Sequence, residues 1–269
     1  MLTKTQLRDY YVPFQPTVRA NDPYVRYREV FPDALVADLI YCYWELKTDQ
    51  PLLQPFTYRV IADGCIDLFF RVDPFDEVFV MGFYDTSTTF DLGTEFHYIG
   101  VRFFPSAFPA WFGVDAQLLS NRFQSISSVD SVLGWSKDSP LGHMDFGGWQ
   151  RYLNSYFTHR RSTQAVRFDP RMLEALYLIF QHQGHLQLSA TLRTGLSPRQ
   201  LRRHFSYYLG TSPKLFSQVV RFQHVLRAAT DRSLREDKVY FDLGYYDQAH
   251  FIRAFKSFYG ITPKQAFGK

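Results

Sequence analysis

The chain has 269 residues, of which 46% are hydrophobic and 18% are aromatic, so it can bury a large core and is not a disordered protein. No apolar run reaches the roughly 20 residues that cross a bilayer, and the first ten residues lack the apolar segment of a signal peptide. We therefore expect a cytoplasmic protein with no membrane partner. The two cysteines, Cys42 and Cys65, are too few for a disulfide scaffold or an all-cysteine zinc site, and we expect both to be reduced and buried.

The net charge of +4 is the sum of the charges of two parts of the chain, one negative and one positive. Residues 1–169, the first part, contain 15 Lys and Arg against 20 Asp and Glu, whereas residues 170–269, the second part, contain 15 against six. An acidic first part disfavours a phosphate ligand over most of its surface. The basic second part suits a polyanion such as DNA.

The first part is predicted to be rich in β-strands. Six segments of aromatic and β-branched residues are separated by Asp-Gly, Asp-Pro and Gly-Thr. They are Leu39–Lys47, Tyr58–Ala62, Cys65–Val72, Glu77–Phe83, Thr86–Leu92 and Phe96–Phe104. Asp63-Gly64 predicts a hairpin between two of them. Many short strands at such intervals are typical of an antiparallel barrel or sandwich.

Beyond Pro105 the apolar residues recur at helical spacing, and they include an aromatic stripe. This stripe also suggests dimerisation through Ser127–Tyr156. The stripe comprises Phe146, Trp149, Tyr152, Leu153, Tyr156 and Phe157. Residues 159–169 are polar and aperiodic, which is typical of a domain boundary. We predict a β-rich domain with trailing helices at 1–160, a linker at 161–169 and an all-α domain at 170–269, an α+β chain as a whole.

The second part is predicted to be helical throughout. An apolar stripe over 173–180 ends near Gly184, and short helices are predicted at 187–194 and 236–243. Longer helices begin at the capping signals Ser197-Pro198, Ser212-Pro213 and Asp247, and a last fragment begins at Thr262-Pro263. Gly210 and Gly260 are expected to end two of them.

These helices contain a repeat at an offset of 50 residues. Leu201, Arg203, Phe205, Gly210, Ser212, Pro213 and Lys214 recur as Phe251, Arg253, Phe255, Gly260, Thr262, Pro263 and Lys264. Each unit is a short helix, a glycine-containing turn and a longer capped helix. This is the order of a helix-turn-helix, whose second helix enters the major groove of DNA with its N-terminal half.

Packing predicts which side chains of the two longer helices face outward. With Leu201, Phe205 and Tyr208 inside, the first helix presents Arg199, Arg202, Arg203 and Ser206. With Phe251, Phe255 and Phe258 inside, the second presents Gln248, Ala249, Ile252, Arg253 and Lys256. Guanidinium groups suit guanine or phosphate, glutamine suits adenine, and Ala249 or Ile252 suits a thymine methyl. The competing interpretation is an ordinary amphipathic pair with solvated arginines, which two basic copies at one offset disfavour.

The stretch from Gly244 to Lys264, GYYDQAHFIRAFKSFYGITPK, closely resembles the signature of AraC/XylS-type transcriptional regulators, and GLSPRQLRRHFSYYLGTSPK resembles its upstream counterpart. The resemblance covers about 100 residues. It implies two units joined by the helix from Pro213 to about Thr230, with recognition helices 198–209 and 248–258 in successive major grooves. The base-contacting positions of that family fall on Arg199, Arg202, Arg203, Gln248, Ala249 and Arg253.

The first part resembles a domain of unknown function that precedes such units, through Tyr41–Leu46, Ala62–Leu68 and Gly100–Pro105. In the wider family such domains sense a small molecule or mediate dimerisation. The resemblance thus implies double-stranded DNA as the partner, with a small-molecule effector, RNA polymerase and a second copy of the chain as further candidates.

The alternative function is enzymatic. In this case the first part of the chain would be a metal-dependent or a repair-type enzyme. A metal site needs about three clustered ligands, but the strand region offers only His97. Cys65 lies beside Asp63 and Asp67, which raise rather than lower a thiol pKa. We therefore predict no catalytic residue, metal ligand or cofactor.

A sensing pocket inside the β-rich domain is a further hypothesis. Its lining would be Tyr41, Tyr43, Trp44, Phe69 and Arg102. The competing interpretation, which we favour, is that these aromatic side chains fill the core and that Arg102 pairs with Asp63 or Asp67.

Overall fold

The computed structural model describes residues 7–16, 22–72, 78–125, 144–186, 192, 194–230 and 244–267. After the short helix α1 (Leu7–Tyr10), the described residues of the first part form eight strands. They are β1 (Val25–Val30), β2 (Ile40–Thr48), β3 (Thr57–Val60), β4 (Ile66–Arg71), β5 (Val78–Met81), β6 (Thr88–Asp91), β7 (His97–Phe103) and β8 (Phe123–Ser125). All six predicted strands are confirmed, and β1 and β8 are additional.

The strands form two antiparallel sheets. The larger has the order β1-β2-β7-β4-β5-β8, and β3 pairs with β6 in the smaller. The predicted hairpin at Asp63-Gly64 is wrong, because β4 pairs with β5 and β7 while β3 belongs to the other sheet. The turn instead carries the chain from one sheet to the other, with Gly64 at φ +74°.

Helix α2 (Ala107–Phe112) and a 3₁₀ turn at Ala116–Leu119 lie between β7 and β8, and α3 (Phe146–Thr163) comes after β8. One face of the larger sheet packs on α3. The ring of Phe70 lies 4.7 Å from that of Trp149, and the ring of Phe103 lies 5.8 Å from that of Phe157. These contacts make the first hydrophobic core.

The aromatic stripe of α3 therefore packs within the chain, which removes the main support for the dimer prediction. Trp149, Leu153 and Phe157 are fully buried, while residues 126–143 lie outside the described part. The helix also extends to Thr163, three residues into the predicted linker at 161–169. The rest of that segment is attached to the first part, since the Arg167 N–H donates to the Ala110 carbonyl at 2.9 Å.

The second part contains five described helices. They are α4 (Pro170–Gln181), α5 (Pro198–Leu209), α6 (Pro213–Thr230), α7 (Gln248–Tyr259) and α8 (Pro263–Phe267). Gly210 and Gly260 end α5 and α7 in the left-handed conformation, as predicted. The predicted short helix at 236–243 lies outside the described residues, and so does most of the one at 187–194.

A second hydrophobic core joins the two parts of the chain. Buried aromatic side chains of the helices, among them Phe205, Phe216 and Phe255, share it with residues of the first part. Those residues are Tyr11, Ile61, Ala62 and Phe83. The ring of Tyr11 stacks on that of Phe180 at 4.5 Å. The core of the helical domain is thus completed by the β-rich domain.

None of the described helices is both long enough and apolar enough to cross a membrane.

Candidate nucleic-acid interface

Helix α5 begins at a complete capping box. The Ser197 hydroxyl accepts from the Gln200 N–H at 3.3 Å, and the Gln200 side chain accepts from the Ser197 N–H at 2.9 Å. Pro198 occupies the first helical position, where a missing N–H costs nothing. Because the box uses the N–H groups of Ser197 and Gln200, the Arg199 N–H is the donor of the first turn that is left for a phosphate.

The outward side of α5 is basic, as the sequence predicts. Leu201 and Phe205 are buried, while Arg199, Arg202 and Arg203 are exposed. Tyr208, predicted to lie inside, is only half-buried, and its hydroxyl donates to the Arg167 carbonyl. The inner position at that end of the helix is taken by Leu209.

Among the predicted DNA contacts on α5, Ser206 is the one whose side chain bonds to another described residue. It is half-buried, and its hydroxyl donates to Gln117 Oε1 of the first part at 2.7 Å. Nothing in the sequence near Ser206 indicated this partner, which lies 89 residues earlier in the chain.

Helix α7 repeats the arrangement of α5. The Asp247 carboxylate caps it by accepting from the His250 N–H at 2.6 Å. Its inner side is apolar, since Phe251, Phe255 and Phe258 are buried. The predicted outward side chains are all exposed: Gln248, Ala249, Ile252, Arg253 and Lys256. The structure thus leaves this set available to a partner.

Helix α6 connects the two units and fixes the turn of the second. Its Arg221 guanidinium donates to the Gly244 carbonyl at 2.7 Å and to the Gly184 carbonyl at 2.9 Å. It also lies 5.6 Å from the centre of the Tyr245 ring. Because Gly244 and Tyr245 belong to the turn before α7, this one side chain ties that turn to α6 and to the end of α4.

The first part of the chain holds the C-terminal ends of both outward-facing helices. The Ser120 hydroxyl donates to the Gly210 carbonyl at 2.6 Å, at the end of α5. At the end of α7, the Ser87 N–H donates to the Ser257 carbonyl at 3.0 Å. These contacts leave the N-terminal halves of α5 and α7 uncovered by described residues.

The five residues of the predicted sensing pocket do not line a single cavity. Trp44 and Phe69 both lie opposite Gly100 in the sheet, with ring centres 6.1 Å apart, and Arg102 is two residues along on the same face. Tyr43 is on the other face, where its ring packs on Phe157 of α3.

Tyr41 is separated from the rest of the set by an irregularity in β2. Its ring lies 5.1 Å from the Arg8 guanidinium, which donates to the Tyr41 carbonyl at 2.7 Å.

Arg102 has its anionic partner inside the protein. Its guanidinium donates to both carboxylate oxygens of Asp67, at 3.0 and 2.9 Å, which confirms the pairing that the sequence favours. Asp63 and Glu29 each approach to 3.6 Å. Burial raises the pKa of Asp67, and the Arg102 charge works against this effect. The cavity beside these groups has a volume of about 10 Å³, room for about one water molecule.

Both cysteines are free and buried, as expected. Burial, and then the charge of Asp63, raise the pKa of the Cys65 thiol well above its usual value, which makes it a poor nucleophile. His97 hydrogen-bonds to Glu45 at 2.9 Å. Within the described ranges, no three His, Cys, Asp or Glu side chains are grouped in a way that could hold a metal ion.

Each part of the chain matches a known protein family. Residues 191–268 match the family described as "Helix-turn-helix domain", and residues 28–125 match "Domain of unknown function (DUF6597)". An uncharacterized HTH-type transcriptional regulator from Haemophilus influenzae is 30% identical over 100 residues, which are 36% of this chain and 33% of that protein. The chain thus spans about a third of the length of this curated relative.

Solved structures of ToxT from Vibrio cholerae are also similar to this chain. An apo form aligns with a TM-score of 0.43 and 10% identity, over 93% of this chain and 99% of that one. A form with an unsaturated fatty acid bound aligns with a TM-score of 0.39 and 8% identity, over 82% and 97%. Within this chain, the stretch that matches DUF6597 thus precedes the stretch that matches a helix-turn-helix domain, and α5 and α7 both lie in the latter.

Proposed function

We propose that this protein is a sequence-specific DNA-binding transcriptional regulator, with α5 and α7 as recognition helices in successive major grooves. One observation carries the proposal. The capped helices α5 and α7 pack on the same hydrophobic core. Each has an apolar side buried in that core and a basic side exposed to solvent. A single helix of this kind is common, but two copies joined by α6 favour a pair of DNA-binding units.

The two helices would make different kinds of contact. Arg199, Arg202 and Arg203 on α5 are suited to guanine edges or to phosphates. On α7, Gln248 is suited to adenine and Ala249 to a thymine methyl, while Arg253 and Lys256 add positive charge. We therefore expect base discrimination under both helices, with guanine favoured under α5.

For the first part of the chain we propose a regulatory role. The contacts from Ser120 to the end of α5 and from Ser87 to the end of α7 support it, because any event that moves these residues also moves a recognition helix. A small-molecule effector fits this role. Since the cavity beside Arg102 has room for about one water molecule, such an effector would have to displace side chains to enter there.

The function can be tested by selecting duplexes from a random-sequence library with the full-length protein and sequencing those that bind. A regulator of this kind should enrich one motif with two half-sites about one helical turn apart. Binding should weaken as salt concentration rises, but this is true of any DNA-binding protein, so the enriched motif is the deciding result. Enrichment of no motif would contradict the proposal.

A further inference from the structure

The side chain of Gln117 lies beside the basic side of α5, although it belongs to the first part of the chain. It accepts a hydrogen bond from the Ser206 hydroxyl at 2.7 Å. The Asp115 carboxylate holds the 3₁₀ turn by accepting from the Gln117 N–H at 2.9 Å. Gln117 and its neighbour Leu118 are both exposed. An exposed side-chain amide is therefore fixed next to a proposed recognition helix.

The position of Ser206 on α5 places this amide close to where DNA would lie. Ser206 follows Arg203 by three residues and Arg199 by seven, so the three side chains form one stripe along the helix. A helix with its side chains is 10–12 Å across, and it nearly fills a major groove about 12 Å wide. A group bonded to the C-terminal end of that stripe therefore stands at the edge of the groove, where the phosphates run.

DNA could reach α5 without breaking the contact between Ser206 and Gln117. The N-terminal half of a recognition helix enters the groove, and in α5 this half carries the exposed Arg199, Arg202 and Arg203. The contacts to the first part are at the other end, at Ser206 and Gly210. A Cβ at residue 210 would lie 2.1 Å from Ser120 Oγ, so the helix end and the turn are closely packed.

We propose that Gln117 is a DNA-contacting residue, so that the DNA interface spans both parts of the chain. With its Oε1 occupied by the Ser206 hydroxyl, the amide Nε2 is oriented to donate to a phosphate oxygen at the groove edge. The inference rests on the proposed DNA-binding function and extends it to a residue outside the helix-turn-helix units. Asp115 beside it would repel the same phosphates.

The probe for the test is a labelled duplex carrying the motif that the wild-type full-length chain selects. Affinity is measured by fluorescence anisotropy, and ethylation interference identifies the phosphates that binding requires. We expect Gln117→Ala to weaken binding about 5- to 20-fold and to remove one phosphate from the interference pattern. Asp115→Asn, which keeps a capping side chain, should tighten binding at low salt and lose this effect at high salt.

Two further variants make the result specific to Gln117. Gln54→Ala, at an exposed glutamine in the loop between β2 and β3, should bind as the wild type does. Ser206→Ala removes the bond that orients the Gln117 amide but keeps the amide, so it should weaken binding less than Gln117→Ala does and only reduce the interference at the phosphate that Gln117→Ala loses.

Three results for Gln117→Ala would overturn the inference: unchanged affinity, tighter binding, or weaker binding with the full interference pattern. Tighter binding would identify an inhibitory contact instead, and weaker binding with an unchanged pattern would mean that Gln117 only positions α5. If the wild-type chain selects no motif, the proposed function fails and this inference with it, whereas the other outcomes leave that function intact.

Discussion

Gly64, in the turn between the two sheets, lies directly against the ring of Phe216 on α6. A Cβ at residue 64 would stand 2.8 Å from the Cε2 atom of that ring, and the ring is fully buried, so it has little freedom to move away. The residue also adopts a φ of +74°, which favours glycine. The two parts of the chain are therefore packed as closely here as side chains inside one core.

We expect Gly64→Ala to lower the free energy of unfolding by about 2–4 kcal/mol, because backbone strain and overpacking act together. Gly93→Ala is the matched control, since Gly93 has a φ of +75° but, apart from its chain neighbours, no described residue comes within 4 Å of the added Cβ. It should cost only about 1 kcal/mol. Urea denaturation of both variants measures the difference, and equal losses would show that the Phe216 contact contributes nothing.

Replacing one exposed arginine on each recognition helix should separate base contacts from phosphate contacts. Arg203→Ala and Arg253→Ala should each weaken binding to the selected duplex by about 1–3 kcal/mol, with little effect on random DNA if the side chains contact bases. Arg151→Ala, at an exposed position on α3, is the control for loss of a surface charge. Equal losses on both DNAs would assign the residue to a phosphate contact.

The sequence predicted the strands of the first part better than their pairing. Aromatic and β-branched content identified six strands, but the Asp63-Gly64 turn indicated a hairpin that does not form. A turn signal is local, whereas the partner of a strand is decided by packing far along the chain. Strand β1 was not predicted, because Arg26, Arg28 and Glu29 make it polar. Charged side chains are common in a strand at the edge of a sheet.

The outward side chains of α5 and α7 were predictable because each helix buries one apolar stripe at a fixed period. The same argument could not find Gln117, because its contact with Ser206 depends on how the two parts pack. It also missed Tyr11, a residue near the N-terminus whose ring is buried in the second core. Long-range placement of this kind leaves no periodic pattern in the sequence.

Arg102 and Asp67 form a buried ion pair. Removing one partner should lower the free energy of unfolding far more than replacing both partners with apolar residues. Arg102→Met leaves the Asp67 carboxylate buried without its partner, and we expect a loss of about 3–5 kcal/mol of stability. Adding Asp67→Leu removes that unpaired charge and should recover part of the loss. Thermal and urea denaturation of the two variants provide the comparison. A double variant less stable than Arg102→Met would contradict this account.

His224 on α6 predicts a pH dependence of stability. Burial, and then the charge of Arg227, lower the pKa of His224 from 6.5 to about 4. The unfolded chain therefore takes up this proton at a higher pH than the folded chain does. The stability that His224 contributes is complete above pH 6.5 and is lost as the pH falls towards 4.

Comparison with His224→Gln isolates this effect, because the variant has no proton to bind at that position. The stability of the wild type relative to the variant should fall by about 1–2 kcal/mol between pH 7 and pH 4, a value reduced for partial solvent exposure. Urea denaturation at each pH measures it, with His159→Gln, at an exposed position on α3, as the control. A constant difference across this range would show that His224 binds its proton equally well in the folded and unfolded chains.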